Sequence, residues 1–129
     1  MKRLPQCIMI GQQKAGTKAL LVFLMIHPDI ATARKEIRFF NLNESYARGL
    51  EYYRQQMPIS EPHQMTMEKS PDYFSAPYVP ERIRQMNESI KLLLIVREPV
   101  SRMISEYWFN LRHGYSQPNK SFEVRNWLS

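Results

Sequence analysis

Apolar positions along the chain fall into short runs that switch between two periods. Residues 7–10 form an unbroken apolar run closed by Gly11, the pattern of a short buried strand. Residues 17–26 are apolar on every face, which predicts a buried helix, and His27-Pro28 stops it. A second short strand is expected at 30–33. Over 44–57 the apolar residues Tyr46, Leu50, Tyr53 and Met57 recur at helical spacing, predicting one helix. A third strand is expected at 65–68. Pro80 suits the first turn of a helix over 80–86, with Asn87 as terminator. KLLLIV, 91–96, is the clearest buried-strand pattern in the chain. Pro99 then opens a helix with Val100, Met103, Ile104, Tyr107, Trp108 and Leu111 on one face. Strand and helix alternate throughout, so the expected fold is α/β, a parallel sheet flanked by helices on both faces. After His113 the chain turns polar (GYSQPNKS) and resumes as SFEVRNWLS, where the pattern breaks off. The sheet is therefore expected to be truncated, with an exposed edge prone to association.

Composition narrows this only a little. A chain of 129 residues is a single domain at most, with a modest core. Its net charge of +6 calls for an anionic partner without choosing among nucleotide, nucleic acid, membrane surface or acidic glycan. One cysteine, Cys7, lies in the first apolar run, where a buried strand residue is the expectation. No run approaches the ~20 apolar residues of a membrane span. MKRLPQ leads almost directly into a strand and has no signal-peptide core, so membrane attachment or targeting would need a segment outside this chain. No spacing of His and Cys suits a metal, and His27, His63 and His113 read as structural or surface residues.

The candidate chemistry begins in MIGQQKAGTKALL. Gly11 and Gly16 have the spacing of a nucleotide-binding G-x-x-x-x-G-K-[ST] loop, but Thr17 and Lys18 stand in swapped order and Lys14 lies inside the loop. A strand, a glycine turn and a helix N-terminus still form an anion site. Free N–H groups and the positive end of the helix point into the turn, and Lys14 and Lys18 add charge. The alternative is an ordinary strand–helix turn carrying two solvated lysines. A second feature favours the phosphate. KLLLIV ends at Arg97, and ligands of open α/β sheets sit beyond the carboxyl ends of the strands. Arg97, with Ser105 in the following helix, offers a grip for a second phosphate.

Taken together, GQQKAGTKALL, HPDI, KEIRFF, MEKSPDYF, VPERI and LLLIVREPVSRMISEYW resemble the heparan sulfate glucosamine 3-O-sulfotransferases. The resemblance runs the length of the chain and reaches about the first half of that family's catalytic domain. Residues 1–129 thus read as the N-terminal part of a sulfotransferase domain. What it implies is transfer of a sulfuryl group from 3′-phosphoadenosine 5′-phosphosulfate (PAPS) to a glucosamine 3-hydroxyl of heparan sulfate, without a metal or nucleic acid and in the Golgi lumen. Lys14, Ala15, Gly16, Thr17 and Lys18 resemble the family's 5′-phosphosulfate loop, and Arg97 with Ser105 its grip on the 3′-phosphate. Glu36 stands where the family has its catalytic base, and Lys14 would stabilise the leaving phosphate. Glu36, Ile37, Arg38, Phe39, Phe40, Asn41 and Leu42, together with Lys69, Ser70, Pro71 and Asp72, resemble its acceptor-contacting segments.

Three positions depart from the family pattern. Where it commonly reads E-x-H-F-F-D, this chain has Arg38 for the histidine and Asn41 for the aspartate, and Lys18 replaces an arginine. An Arg38 head near Glu36 would stabilise the carboxylate and make it a weaker base, or would grip an acceptor sulfate. Phe39-Phe40 and Tyr73-Phe74 read as core rather than as platforms for a sugar. Arg34-Lys35 reads equally as a glycan patch or a solvated pair. The competing function is a non-catalytic nucleotide- or heparan-sulfate-binding fragment. A nucleoside kinase is disfavoured by the Thr17-Lys18 order and the want of a clear magnesium-binding acid.

Overall fold

The computed structural model describes residues 1–114. The expectations for the polar stretch and for SFEVRNWLS lie outside the described residues. Four strands, β1 (Cys7–Gly11), β2 (Ile30–Thr32), β3 (Met65–Lys69) and β4 (Lys91–Leu94), form one sheet in the order β2-β3-β1-β4. Every pairing is parallel, with Met9 opposite both Lys69 and Leu93. The helices are α1 (Thr17–Ile26), α2 (Asn43–Tyr46), α3 (Gly49–Gln55), α4 (Val79–Met86) and α5 (Pro99–Arg112), with a 3₁₀ turn at Pro71–Ser75. The α/β expectation is met. Parallel pairing needs a crossover between successive strands, and helices supply it.

The core is aromatic. Ile8, Phe39, Phe40, Tyr53, Met57, Tyr73, Val79 and Ile83 form one buried cluster. Phe39 stacks on Tyr53 at 4.4 Å between centroids and meets Phe40 edge-on at 4.9 Å, both arrangements favoured by ring quadrupoles. Cys7 is buried as expected, and burial pushes its thiol up, away from the reactive range. Gly11 is required by close approach. A Cβ there would meet the Phe74 Cβ at 2.8 Å and the Pro71 carbonyl oxygen at 3.2 Å.

Three expectations need correction. The helix expected over 44–57 is two helices, because the chain turns at Gly49, whose φ of 86° is open to glycine and costly for other residues. The run 91–96 is not a buried strand. β4 stops at Leu94 and, among the described residues, has a neighbour on one side only, leaving Leu92 and Leu94 53% and 40% exposed. α1 is likewise not buried all round. A helix apolar on every face needs cover on every face, and the described residues supply it only along Thr17 and Leu21, leaving Phe23 and Ile26 exposed.

Candidate active site

The four strands deliver their C-terminal ends to one edge of the sheet, where ligands of such sheets bind. β1 leads into the glycine loop, β2 leads toward Glu36, β3 ends at Lys69, and β4 leads to Arg97. Residues far apart in sequence thereby face one cavity of about 760 Å³. Of the predicted residues, Lys14, Gly16, Thr17, Lys18, Glu36, Arg38, Lys69, Pro71, Arg97 and Ser105 line it.

The loop is shaped by backbone geometry. Lys14 has φ 60° and Gly16 φ 94°, and Arg97 braces the turn by donating from Nη1 to the Lys14 carbonyl at 3.0 Å. α1 begins after Gly16 with no side-chain cap and no acid in its first turn, so its N-terminal field faces the cavity uncompensated. The N-terminus of α5 differs. The Glu98 carboxylate already accepts from the Val100 and Ser101 N–H groups at 3.0 and 2.8 Å. Those two donors hold the Glu98 carboxyl below the usual range. An anion beside α5 is therefore left to the Arg97 and Ser105 side chains rather than to helix N–H groups.

Lys14 Nζ lies 3.4 Å from the centroid of the Phe109 ring, a cation–π contact. Its partial desolvation lowers the ammonium's pKa, against the pull of Glu106 and Glu36, and Lys69 lowers it further. Glu36 meets a cation at each oxygen: Lys69 Nζ at 3.1 Å from Oε1 and Arg38 Nη2 at 3.3 Å from Oε2. Arg38 Nε also pairs with Asp72 Oδ2 at 3.3 Å, and Asp72 Oδ1 accepts from the Gln13 side chain. One charged chain thus ties the glycine loop to Glu36.

The remaining predicted residues take other places. Phe39 and Phe40 are 1% and 0% exposed, so neither ring is available to a sugar. Ser70 is fully buried, Asp72 meets the cavity's lining through Arg38 and Gln13, and Leu42 is 45% exposed and does not line it. Ala15, Ile37 and Asn41 do not line the cavity, and the Asn41 carbonyl accepts from the Tyr78 hydroxyl at 2.7 Å. Gln13, Phe109 and Asn110 line the cavity and were not anticipated. Phe109 was findable, since it lies four residues after Ser105 on the same helix face.

Behind Arg38 and Phe39 lies a carboxylate, inside the motif MEKSPDYF, to which the motif assigns no role. Glu68 is 0% exposed and accepts from the hydroxyls of Tyr53 (2.8 Å), Tyr73 (2.7 Å) and Ser70 (2.8 Å). Burial raises its pKa, the three hydroxyl bonds oppose the rise, and the Glu36 charge adds to it.

Residues 4–128 match the family described as sulfotransferase domain. The chain belongs to the sulfotransferase domain family. It is similar to the heparan sulfate glucosamine 3-O-sulfotransferases, as its motifs led one to expect. Identity is 51% over 122 residues with 3-O-sulfotransferase 5 of Mus musculus, covering 95% of this chain and 35% of that protein. It is 45% over 106 residues with 3-O-sulfotransferase 6 of Homo sapiens, covering 82% and 30% respectively. The chain thus spans about a third of the length of these relatives. In fold it is similar to a sulfotransferase from Alicyclobacillus acidocaldarius, with a TM-score of 0.82 at 24% identity over 95% of this chain and 55% of that one.

Proposed function

We propose that this sulfotransferase chain carries the donor site and catalytic base of a heparan sulfate glucosamine 3-O-sulfotransferase, as the N-terminal part of its domain. The observation that carries the reading is the cavity's lining. Lys14, Lys18, Arg38, Lys69 and Arg97 line the cavity with, among the described residues, one carboxylate, Glu36, beside an uncapped helix N-terminus. Such a site suits two polyanions, the nucleotide PAPS and a sulfated glycan. PAPS supplies a sulfuryl group whose S–O bond to phosphate breaks as the acceptor oxygen bonds to sulfur.

The chain's residues do the rest. Gly16 and Thr17 offer backbone N–H groups to the 5′-phosphosulfate, Lys14 and Lys18 add charge, and Arg97 with Ser105 holds the 3′-phosphate. Lys14 neutralises the leaving phosphate oxygen, and its lowered pKa makes it a readier proton donor to that oxygen. Glu36 takes the proton of the acceptor hydroxyl, and Lys69 holds one Glu36 oxygen so that the other faces the acceptor. Among the described residues no group of His, Cys, Asp or Glu could hold a metal ion, and none is needed for these roles. Residence in the Golgi lumen follows from the same kinship. No helix of the described residues is long and apolar enough to cross a membrane.

Arg38 is half exposed, and its head lies between Glu36 and Asp72. It is therefore placed to exchange one of these carboxylates for an acceptor sulfate. Arg38→Ala is expected to raise the acceptor KM about tenfold with donor KM unchanged, a charge-assisted bond being worth about 1.5–3 kcal/mol. An unchanged acceptor KM removes Arg38 from the acceptor site.

A second reading, a binding module without turnover, draws on one observation: both Glu36 oxygens are already held by cations. The test of the donor site is calorimetric titration with 3′-phosphoadenosine 5′-phosphate. Saturable binding is expected, weakened about tenfold or more by Lys14→Ala and by Arg97→Ala, each removing a charge-assisted contact. No binding by the folded chain overturns the donor site and the nucleotide-binding form of the second reading, leaving only a heparan-sulfate-binding fragment, and nucleotide binding without sulfuryl transfer leaves the second.

A further inference from the structure

We propose that Glu68 is a positioning residue, which acts through Ser70 and Tyr73 to clamp the backbone on both sides of Arg38 and thereby aims Glu36. The proposal deepens the reading of Glu36 as base and rests on it only for the effect on turnover.

Proton accounting carries the argument. Ser70 Oγ accepts from the Arg38 N–H at 3.0 Å, and the Tyr73 hydroxyl accepts from the Phe39 N–H at 2.9 Å. Each hydroxyl has one proton, and each sends it to Glu68, Ser70 to Oε2 at 2.8 Å and Tyr73 to Oε1 at 2.7 Å. Tyr53 sends a third to Oε1 at 2.8 Å. Only an ionised carboxylate accepts at both oxygens and donates at neither. An amide in its place would aim an N–H at a hydroxyl already committed as donor. The two backbone N–H groups so held flank the Cα of Arg38, whose φ of 55° is unfavourable for a residue with a side chain. Such a conformation persists where the surroundings over-determine it, and here two bonds with one shared anchor do so. Two residues upstream is Glu36, which pairs with Lys69, the residue following Glu68 on β3. An apolar residue would fill the space without the cost of burying a charge. What the charge adds is direction.

The test compares the intact chain with Glu68→Gln and with Tyr73→Phe, which keeps the ring in the core. Thermal unfolding and 3′-phosphoadenosine 5′-phosphate titration report whether each variant is folded with its donor site intact. In Glu68→Gln both the Arg38 and Phe39 amides, and in Tyr73→Phe the Phe39 amide whose acceptor is removed, are expected to exchange with solvent about tenfold faster or more, while those of β1 are unchanged. Nucleotide affinity should hold within about twofold and kcat fall about tenfold or more at unchanged donor KM, since misaiming acts on the reacting geometry. Unchanged protection at Arg38 and Phe39 in Glu68→Gln, or at Phe39 in Tyr73→Phe, overturns the proposal, as does local loss of protection with unchanged kcat. Protection lost equally in β1 also overturns it, because the role is then general stability. If Glu68→Gln does not fold, Tyr73→Phe decides by the same readings. If the unsubstituted chain transfers no sulfuryl group, the enzymatic reading fails, and the exchange result alone still decides the clamp.

Discussion

Glu36→Gln is expected to lower sulfuryl transfer about 10²–10⁴-fold, the range for loss of a general base, with 3′-phosphoadenosine 5′-phosphate binding nearly unchanged. The amide keeps the shape of the carboxylate but cannot take the acceptor proton, and it gives up the ion pairs with Lys69 at 3.1 Å and Arg38 at 3.3 Å, keeping one oxygen that can still accept from one of them. Neither cation is thereby removed from the donor side of the cavity, so nucleotide affinity should hold or rise slightly. Single-turnover transfer to a heparan sulfate oligosaccharide measures the first effect and calorimetry the second. A loss of less than about tenfold takes the base role from Glu36. A parallel loss of nucleotide affinity makes it a donor-site residue instead.

Phe39→Ala is expected to cost about 3–5 kcal/mol, the range for truncating a buried phenylalanine. Phe39 is 1% exposed and packs against Phe40, Tyr46 and Tyr53 at 4.9, 5.4 and 4.4 Å between centroids. Stability of small domains is only about 5–15 kcal/mol, so the variant should sit near the limit of folding. Urea unfolding followed by far-ultraviolet circular dichroism measures the shift. Phe23, 74% exposed on α1, is the contrast, since Phe23→Ala at an open surface should stay within about 0.5 kcal/mol. Equal losses at the two positions would mean that α1 is covered in solution and that the aromatic cluster is not the dominant core.

The two effects meet in one short segment. KEIRFF carries the candidate base and, three residues later, the centre of the core. The loop that presents Glu36 is thus anchored by the packing that holds the domain together. Its main-chain bonds to Ser70 and Tyr73 join that packing to the cavity. Rigidity of this kind suits a reaction in which positioning and electrostatics outweigh covalent chemistry.

Local patterns were enough for much of this protein. The β1–glycine loop–α1 unit was legible because it is contiguous. A short apolar run, Gly16 and the following helix are neighbours in sequence, and the anion-binding geometry of a helix N-terminus follows from the backbone alone. The alternation of periods sufficed for a parallel α/β sheet, and the spacing in KEIRFF and MEKSPDYF for the family. Only the tertiary structure decided which of these residues face one another. Strand order β2-β3-β1-β4 brings Lys69 and Arg97 to the same edge as Lys14, which no local period encodes. Burial was misjudged for α1 and β4 because an apolar run reports what a segment could bury, whereas cover comes from neighbours. Glu68 was passed over for the same reason. Glu68 stands in MEKSPDYF, but a lone acid in a short strand carries no sign in sequence of what it binds. Its part comes from three hydroxyls on Tyr53, Ser70 and Tyr73, which only folding directs at one buried carboxylate.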